Sequence, residues 1–437
     1  MDDATGLPGI SSDHRMPRGA FVDDQVFAAE RAALFPGSWQ LVGHESEIPE
    51  AGDYVRRRLF TDDVIVTRTR DGDVRVLLNS CAHRGTQLCR GTSGNTSTFR
   101  CSYHGWTYDG TGRLIGVPAL KTSYPEDFDK DGHSLVRADV TSFHGLLFAA
   151  WAPERPLEAS LGEFAWYLEA LLSVTSSGWS VYGPPVHYGR QGNWKLDTEN
   201  FAGDGYHLTT AHRSMYDEGV MGRDAESERK VIGHCVATAE GNTLRTVHLT
   251  GPDGVDGPNY LGFPPSHFGE ITANLGPERA ALLDRNTVVH GNIFPNTCFI
   301  KVSLGSVGDE EEDDWTAFVM FRTPLPDSPH TSTLYQWVLV PNDYPQAWKD
   351  RSYKFAMRSH GPAQVFEVDD LENFARIDTA ISGVRSRRGT FDYNLGDGTA
   401  GEEPGWAGPG DIDPQNLSEH NQRAFYARWS ELVGAAR

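Results

Sequence analysis

Four residues within one short stretch carry the strongest chemical signal in this chain. Cys81-Ala82-His83-Arg84-Gly85 is followed by Cys101-Ser102-Tyr103-His104-Gly105-Trp106, with 17 residues between His83 and Cys101. Each half offers one thiolate and one imidazole, at CxH and CxxH spacing, from the tip of a β-loop. Two such tips facing each other could hold a pair of irons, one by two sulfurs and the other by two nitrogens. Neutral imidazoles in place of thiolates lower the negative charge around a cluster and raise its potential. A centre of that kind accepts an electron and passes it on. A structural Cys2His2 zinc site uses the same ligand types, but usually through CxxC and HxxxH pairs. Arg84, Gly85, Tyr103, Gly105 and Trp106 form the supporting shell, the glycines for tight turns and Trp106 for packing.

A second group lies in NWKLDTENFAGDGYHLTTAH, residues 193 to 212. His207 and His212 could be two neutral imidazole ligands. Five residues apart on a regular helix, they would point about 140° away from each other, so the helix is expected to bulge or end between them. Asp204 precedes His207 by three residues and could orient its imidazole as an outer acceptor. Two histidines and a carboxylate make the facial triad of non-haem Fe(II) oxygenases. Three ligands on one face leave the opposite face free for dioxygen beside an uncoordinated substrate.

The paired CxH and CxxH, with their HRG and YHGW flanks, resemble the Rieske motif. The order of that motif, NWKxxxENFxGDxYHxxxxH and then GPAxVFExDDxENF resembles the α subunit of ring-hydroxylating dioxygenases. The likeness is to members of the naphthalene, biphenyl and polycyclic-aromatic type, and it runs across nearly the whole chain. It implies that Cys81, His83, Cys101 and His104 hold a Rieske [2Fe-2S] cluster. It implies that His207 and His212 bind a mononuclear Fe(II), with Asp370 of GPAQVFEVDDLENF (residues 361 to 374) as the third ligand and Asp369 as the alternative. Asn200 would sit near the iron without binding it. The resemblance also implies a trimer in which Asp204 joins His207 on its own chain to His104 on the next; otherwise Asp204 only starts a helix.

By the same likeness Phe201, Ala202, Leu208, His290, Phe294, His360 and Phe366 line the substrate pocket. Most are apolar, as a planar aromatic substrate needs. His360 stands where hydrocarbon-oxidising members commonly have an aromatic residue, and Gln364 where a small one is common. Burying such groups costs free energy unless they find partners. They contact either a polar substituent of the substrate, such as a carboxylate or hydroxyl, or hydrogen-bonding groups of the protein.

The activity so implied is O2-dependent cis-dihydroxylation of an aromatic ring, polycyclic or an aryl carboxylate of the phthalate type. No GxGxxG follows a strand and no P-loop is present, so nicotinamide or flavin chemistry is not visible in this chain. Electrons from NADH are therefore expected through a separate reductase and ferredoxin. A small β subunit giving an α3β3 hexamer, or an α3 trimer, is implied by the resemblance alone. A Rieske monooxygenase or an O-/N-demethylase would use the same two metal sites. A Rieske electron carrier would need neither the second domain nor His207, His212 and Asp370.

The elements that must position these residues follow from composition and pattern. At 437 residues, with 38% hydrophobic and 23% charged, the chain suits two domains with separate cores. A formal charge of −21 argues against nucleic acid and anionic membranes as partners. No run of about 18 apolar residues predicts a membrane span, and the acidic start lacks a secretory h-region, so a cytoplasmic location is expected. Cys89, Cys235 and Cys298 read as buried small apolar residues.

Residues 25 to 35 (QVFAAERAALF) predict a short helix. Val64–Val66 and Val74–Leu78 flank Asp71-Gly72, a hairpin signal. Phe99–Tyr108 and Gly145–Phe148 read as further strands, with a turn at Asp109-Gly110. Beyond about Pro153 helices mix with strands such as Thr316–Phe321 and Leu334–Val340. The acidic run Asp309–Asp314 reads as a solvated loop, residues 396 to 410 as an irregular connection, and Phe425, Trp429 and Leu432 as the apolar stripe of a C-terminal helix. The expected fold class is α+β. It comprises an N-terminal helical segment (1–37) packing on the catalytic domain, an all-β Rieske domain (38–154), and a catalytic domain (155–437) with an antiparallel sheet surrounded by helices.

Overall fold

A computed structural model describes residues 7–217, 232–248, 257–304, 315–401 and 403–434. The acidic run at 309–314 lies outside the described residues. The chain divides into two compact units, one of Phe35–Leu157 and one of Met1–Leu34 with Glu158–Arg437.

The first unit is built from two antiparallel sheets, one of seven strands and one of three. Strands Asp62–Arg68 and Val74–Leu78 pair in register from Val64↔Leu78 to Arg68↔Val74. Gly72, at φ +89°, makes their turn. The three-stranded sheet joins Thr98–Arg100, Thr107–Asp109 and Leu114–Gly116. Phe99–Tyr108 is thus not one strand, because the chain reverses between its ends. Cys101 N–H donates to Trp106 O at 2.7 Å and Gly105 N–H to Cys101 O at 3.0 Å, a turn that Gly105 closes at φ +75°. The turn at Asp109-Gly110 is present, Asp109 Oδ1 accepting from the backbone N–H groups of Thr111 and Arg113.

The second unit carries a nine-stranded sheet whose pairings are antiparallel throughout. Its middle runs Thr331–Pro341, Thr316–Ser328, Thr297–Leu304, Asn286–Ile293, Thr243–His248. The two strands expected from sequence lie at its centre, each longer than its apolar run. Helices Gln346–His360 and Val365–Ile381 pack on this sheet beside Trp194–Gly203. The C-terminal helix His420–Gly434 buries Phe425, Trp429 and Val433, while Leu432 is only half-buried.

The helix Trp194–Gly203 is buried on almost every side, which its polar sequence does not suggest. Asn193 caps it, accepting from Lys195 N–H. A Cβ at Gly203 would come within 2.6 Å of Asn421 Nδ2, so its last turn admits only glycine. Lys195 inside this helix meets Glu30 at 2.6 Å. Glu30 also accepts from the indoles of Trp194 at 3.2 Å and Trp429 at 2.9 Å. One buried carboxylate therefore ties the N-terminal segment, where Asp24–Ala29 runs into a wider turn at Glu30–Leu34, to two helices. That pairing opposes the desolvation of Lys195 only in part, and burial still holds its ammonium below the usual range.

Candidate active site

Two loops of the first unit present the Cys-His pairs with the same backbone turn. Gly85 N–H donates to Cys81 O at 2.8 Å as Gly105 N–H does to Cys101 O, and Gly85 sits at φ +73°. Both cysteines are buried and both are free thiols. His83 and His104 face each other with their Nδ1 atoms 3.1 Å apart. Trp106 stacks on His83 at 4.9 Å and 10°, and Tyr108 Oη lies 3.3 Å from Cys81 Sγ. Burial opposes ionisation of Cys101, but the backbone N–H groups of Tyr103 and His104 overcome it and hold the thiol below its usual range. Two thiols and two imidazoles with converging Nδ1 atoms form a donor set that fits a Rieske cluster. Cys89, Cys235 and Cys298 are buried and free, with thiols raised by burial.

The second unit brings His207, His212 and Asp370 into one group. The helix Trp194–Gly203 ends, Asp204 follows in extended conformation, and the short helix Leu208–Ala211 has His207 at one end and His212 at the other. A single helical turn thus separates them, Ala211 N–H donating to His207 O at 2.7 Å and His212 N–H to Leu208 O at 3.2 Å, and the helix is interrupted on either side of it. Nε2 of His207 lies 3.2 Å from Nε2 of His212, and Asp370 Oδ1 lies 3.5 and 3.4 Å from the two nitrogens. Metal–ligand bonds of about 2.1 Å put neighbouring donors about 3 Å apart, so this triangle fits one ion. Asn200 Nδ2 is 3.5 Å from His207 Nε2.

Each imidazole turns its other nitrogen to a carboxylate. Asp204 Oδ2 lies 3.1 Å from His207 Nδ1, and Asp369 Oδ2 lies 3.1 Å from His212 Nδ1. Asp204 also accepts from Tyr206 and His207 N–H through Oδ1, so it caps the following turn as well as facing the ring. Burial disfavours charge on both Asp204 and His207, yet their attraction wins, taking Asp204 down to about 2 and His207 up to about 9. A metal at Nε2 would displace the proton held there.

The expected wall residues take several positions. Phe366 meets His212 edge-on at 4.7 Å, and His360 lies parallel to Phe366 at 5.4 Å and 15°. Phe201 stands 6.4 Å from His360 and 6.5 Å from His290. His290 is fully occupied: Arg245 donates to Nε2 at 3.2 Å, so Nδ1 carries the hydrogen and donates to Phe201 O at 3.1 Å. Burial first, and then the charge of Arg245, keeps this ring neutral. Leu208 is half-buried at the start of its short helix. Ala202 is buried, its carbonyl accepting from Asn421, and Phe294 packs on Phe425 at 5.5 Å. Gln364 stands half-buried immediately before the helix that carries Asp370.

Sequence reasoning missed the charges that fasten these elements together. Arg190 meets Asp197 at 2.8 Å, and Arg322 meets Glu367 at 2.9 Å and Asp197 at 3.2 Å. All four side chains are buried. Asp197 and Asn200 share a face of one helix, Glu367 and Asp370 a face of another, so the network ties the helix that leads to His207 to the helix that carries Asp370. Arg322 also stands 4.5 Å over the ring of Phe201. The available signal was Arg322 inside the apolar run TAFVMFRTPL. A further grouping among the described residues, His267, Glu270 and Asp343, is engaged by Ser176 N–H and the hydroxyls of Thr175 and Ser177, and it ties two loops.

Residues 38–138 match the Rieske [2Fe-2S] domain, and residues 177–435 match the ring hydroxylating alpha subunit (catalytic domain). The chain belongs to the family of ring-hydroxylating oxygenase α subunits, Rieske non-haem iron oxidoreductases that carry a [2Fe-2S] cluster and a mononuclear iron. It is 31% identical to the N,N-dimethyl phenylurea N-demethylase subunit alpha of Sphingobium sp. (strain YBL2), over 95% of this chain and 90% of that protein. It is 30% identical to the large oxygenase component of the naphthalene 1,2-dioxygenase system of Pseudomonas aeruginosa, over 95% and 90%. The fold matches the crystal structure of naphthalene 1,2-dioxygenase from Rhodococcus sp. bound to indole at a TM-score of 0.91 and 36% identity, covering 97% of this chain and 95% of that one. Among the described residues no helix is long and apolar enough to cross a membrane.

Proposed function

We propose that this chain is the terminal oxygenase that adds both atoms of O2 to an aromatic ring as a cis-diol. NADH would supply two electrons through a reductase and a ferredoxin, and a small β subunit would complete an α3β3 hexamer, an α3 trimer being the simpler assembly. The observation that carries this reading is the His207–His212–Asp370 group beside the rings of Phe366, His360 and Phe201.

The bound cluster would supply electrons one at a time, and the bound iron would activate dioxygen. Cys81, His83, Cys101 and His104 would hold the first, and His207, His212 and Asp370 the second. The work of the remaining residues is positional. Asp204 and Asp369 hold the two imidazoles with Nδ1 protonated, which leaves each Nε2 lone pair aimed at the metal. Phe366 and Phe201 offer flat apolar surfaces to a ring, and Asn200 adds an amide beside His207.

A second reading, a Rieske monooxygenase or an O-/N-demethylase acting on a substituted aromatic, is favoured by the 31% identity to an N-demethylase subunit. Turnover of aryl methylamines and methyl ethers separates the two. Release of formaldehyde as the main product would support demethylation, and ring diols with the methyl group retained support the proposal.

A further inference from the structure

We infer that the pocket selects aromatic substrates bearing a hydrogen-bond donor, a hydroxyl or an N–H, which His360 receives at Nε2. The inference deepens the reading of His207, His212 and Asp370 as an oxygenase centre and rests on it.

The direction of the hydrogen bonds around His360 is fixed by what each group can give. Ser359 has one hydroxyl hydrogen, and its Oγ donates to the carbonyl of Phe355 at 2.7 Å and lies 3.3 Å from that of Ala356. Carbonyls only accept, so that hydrogen is committed to the helix backbone. His360 Nδ1 lies 2.9 Å from the same Ser359 oxygen, and only an Nδ1–H can complete that bond. In a neutral imidazole the other nitrogen then carries the lone pair. Nε2 of His360 has no hydrogen-bond partner among the described residues, and the residue is half-buried.

The ring stays neutral because of what surrounds it. Phe366 stacks against it, and Phe318 and Phe201 stand 5.7 and 6.4 Å away. Burial, and next the charge of Arg322, hold its titration down at about 3. The two positive charges behind it, on Arg190 and Arg322, are balanced by those of Asp197 and Glu367, so that network presents no net charge to an anionic substrate. A carboxylate has no hydrogen to give and would face a lone pair; a methyl ether has none either. A phenol, an aniline or an anilide N–H has one. His360 lies one aromatic ring away from His212, through Phe366.

Equilibrium binding to the iron- and cluster-loaded protein tests this without relying on turnover. The probes are 2-naphthol, its methyl ether, 2-naphthoate and naphthalene, with His360→Phe and His360→Gln as variants and circular dichroism as the check on folding. One neutral hydrogen bond is worth roughly a two- to tenfold preference, so 2-naphthol is expected to bind the native protein tighter than its methyl ether by that factor. In His360→Phe the ratio falls to about one. In His360→Gln, whose amide oxygen still accepts, part of it returns. Equal ratios in native protein and His360→Phe, or tightest binding of 2-naphthoate, would overturn the inference. Iron content of Asp370→Ala separates the two levels: an unchanged content sinks the oxygenase reading, whereas lost iron with equal ratios sinks the His360 inference alone.

Discussion

Asp369 Oδ2 lies 3.1 Å from Nδ1 of His212, on the opposite side of the imidazole from Asp370, whose Oδ1 is 3.4 Å from Nε2. Two adjacent carboxylates thus address the two nitrogens of one ring. The first fixes the tautomer and the second joins the ligand group. Asp370→Asn is expected to lose the mononuclear iron while keeping the two irons of the cluster. Asp369→Asn is expected to bind that iron about 10- to 100-fold more weakly. Iron analysis per chain, with chelator competition, reads both. Equal losses in the two variants would contradict the division of roles.

The cysteines divide in a similar way. Cys101→Ser is expected to abolish the visible absorption and the electron-spin signal of the cluster. Cys89→Ser should retain both, because burial pushes the Cys89 thiol up to about 11. A Cys89 variant lacking the cluster signal would show that the ligand set has been misread.

Glu367 belongs to the charge network beneath the site. Replacing it by Gln leaves Arg322, itself fully buried, with one carboxylate fewer. Breaking a buried pair in this way typically costs roughly 3–5 kcal/mol, visible as a lower denaturant midpoint. Glu367 shares a helix face with Asp370, so iron affinity should fall as well. Unchanged stability would mean that the network contributes nothing measurable.

Glu199 predicts a pH dependence of stability. Burial lifts its carboxyl from 4.5 to about 7, although the hydroxyls of Tyr426 and Tyr393 pull the other way. The folded state binds this proton more tightly than the unfolded state does. The stability it contributes is therefore complete below about 4.5 and is lost as pH rises through about 7. Thermal melts of native protein and Glu199→Gln should diverge across that window, with the native Tm falling relative to the variant and no further change above about pH 8. Parallel curves would refute the assignment.

The chain is legible before its fold where residue type carries its own chemistry. Cys81, His83, Cys101 and His104 announce themselves by spacing, and Asp71-Gly72 and the strands around it by turn chemistry and alternation. An interruption between His207 and His212 was expected because regular helical geometry would set them apart; the helix instead breaks before His207, and one short turn, Leu208–Ala211, joins the two. What stayed hidden was the partner of each buried charge. Lys195 and Glu30 are 165 residues apart and Arg322 and Glu367 are 45 apart; in sequence they look like any solvated residues. The reversal at Cys101–Trp106 was hidden for a different reason, since two short strands separated by a tight turn share one apolar pattern with a single long strand.

The most direct test of the central claim is a single turnover of the purified, fully reduced protein under 18O2 with a pool of arenes, naphthols and aryl methylamines, read by mass spectrometry. The account predicts a ring cis-diol in which both oxygens carry the label. A product with one labelled oxygen, or one that has lost a methyl group, would contradict it.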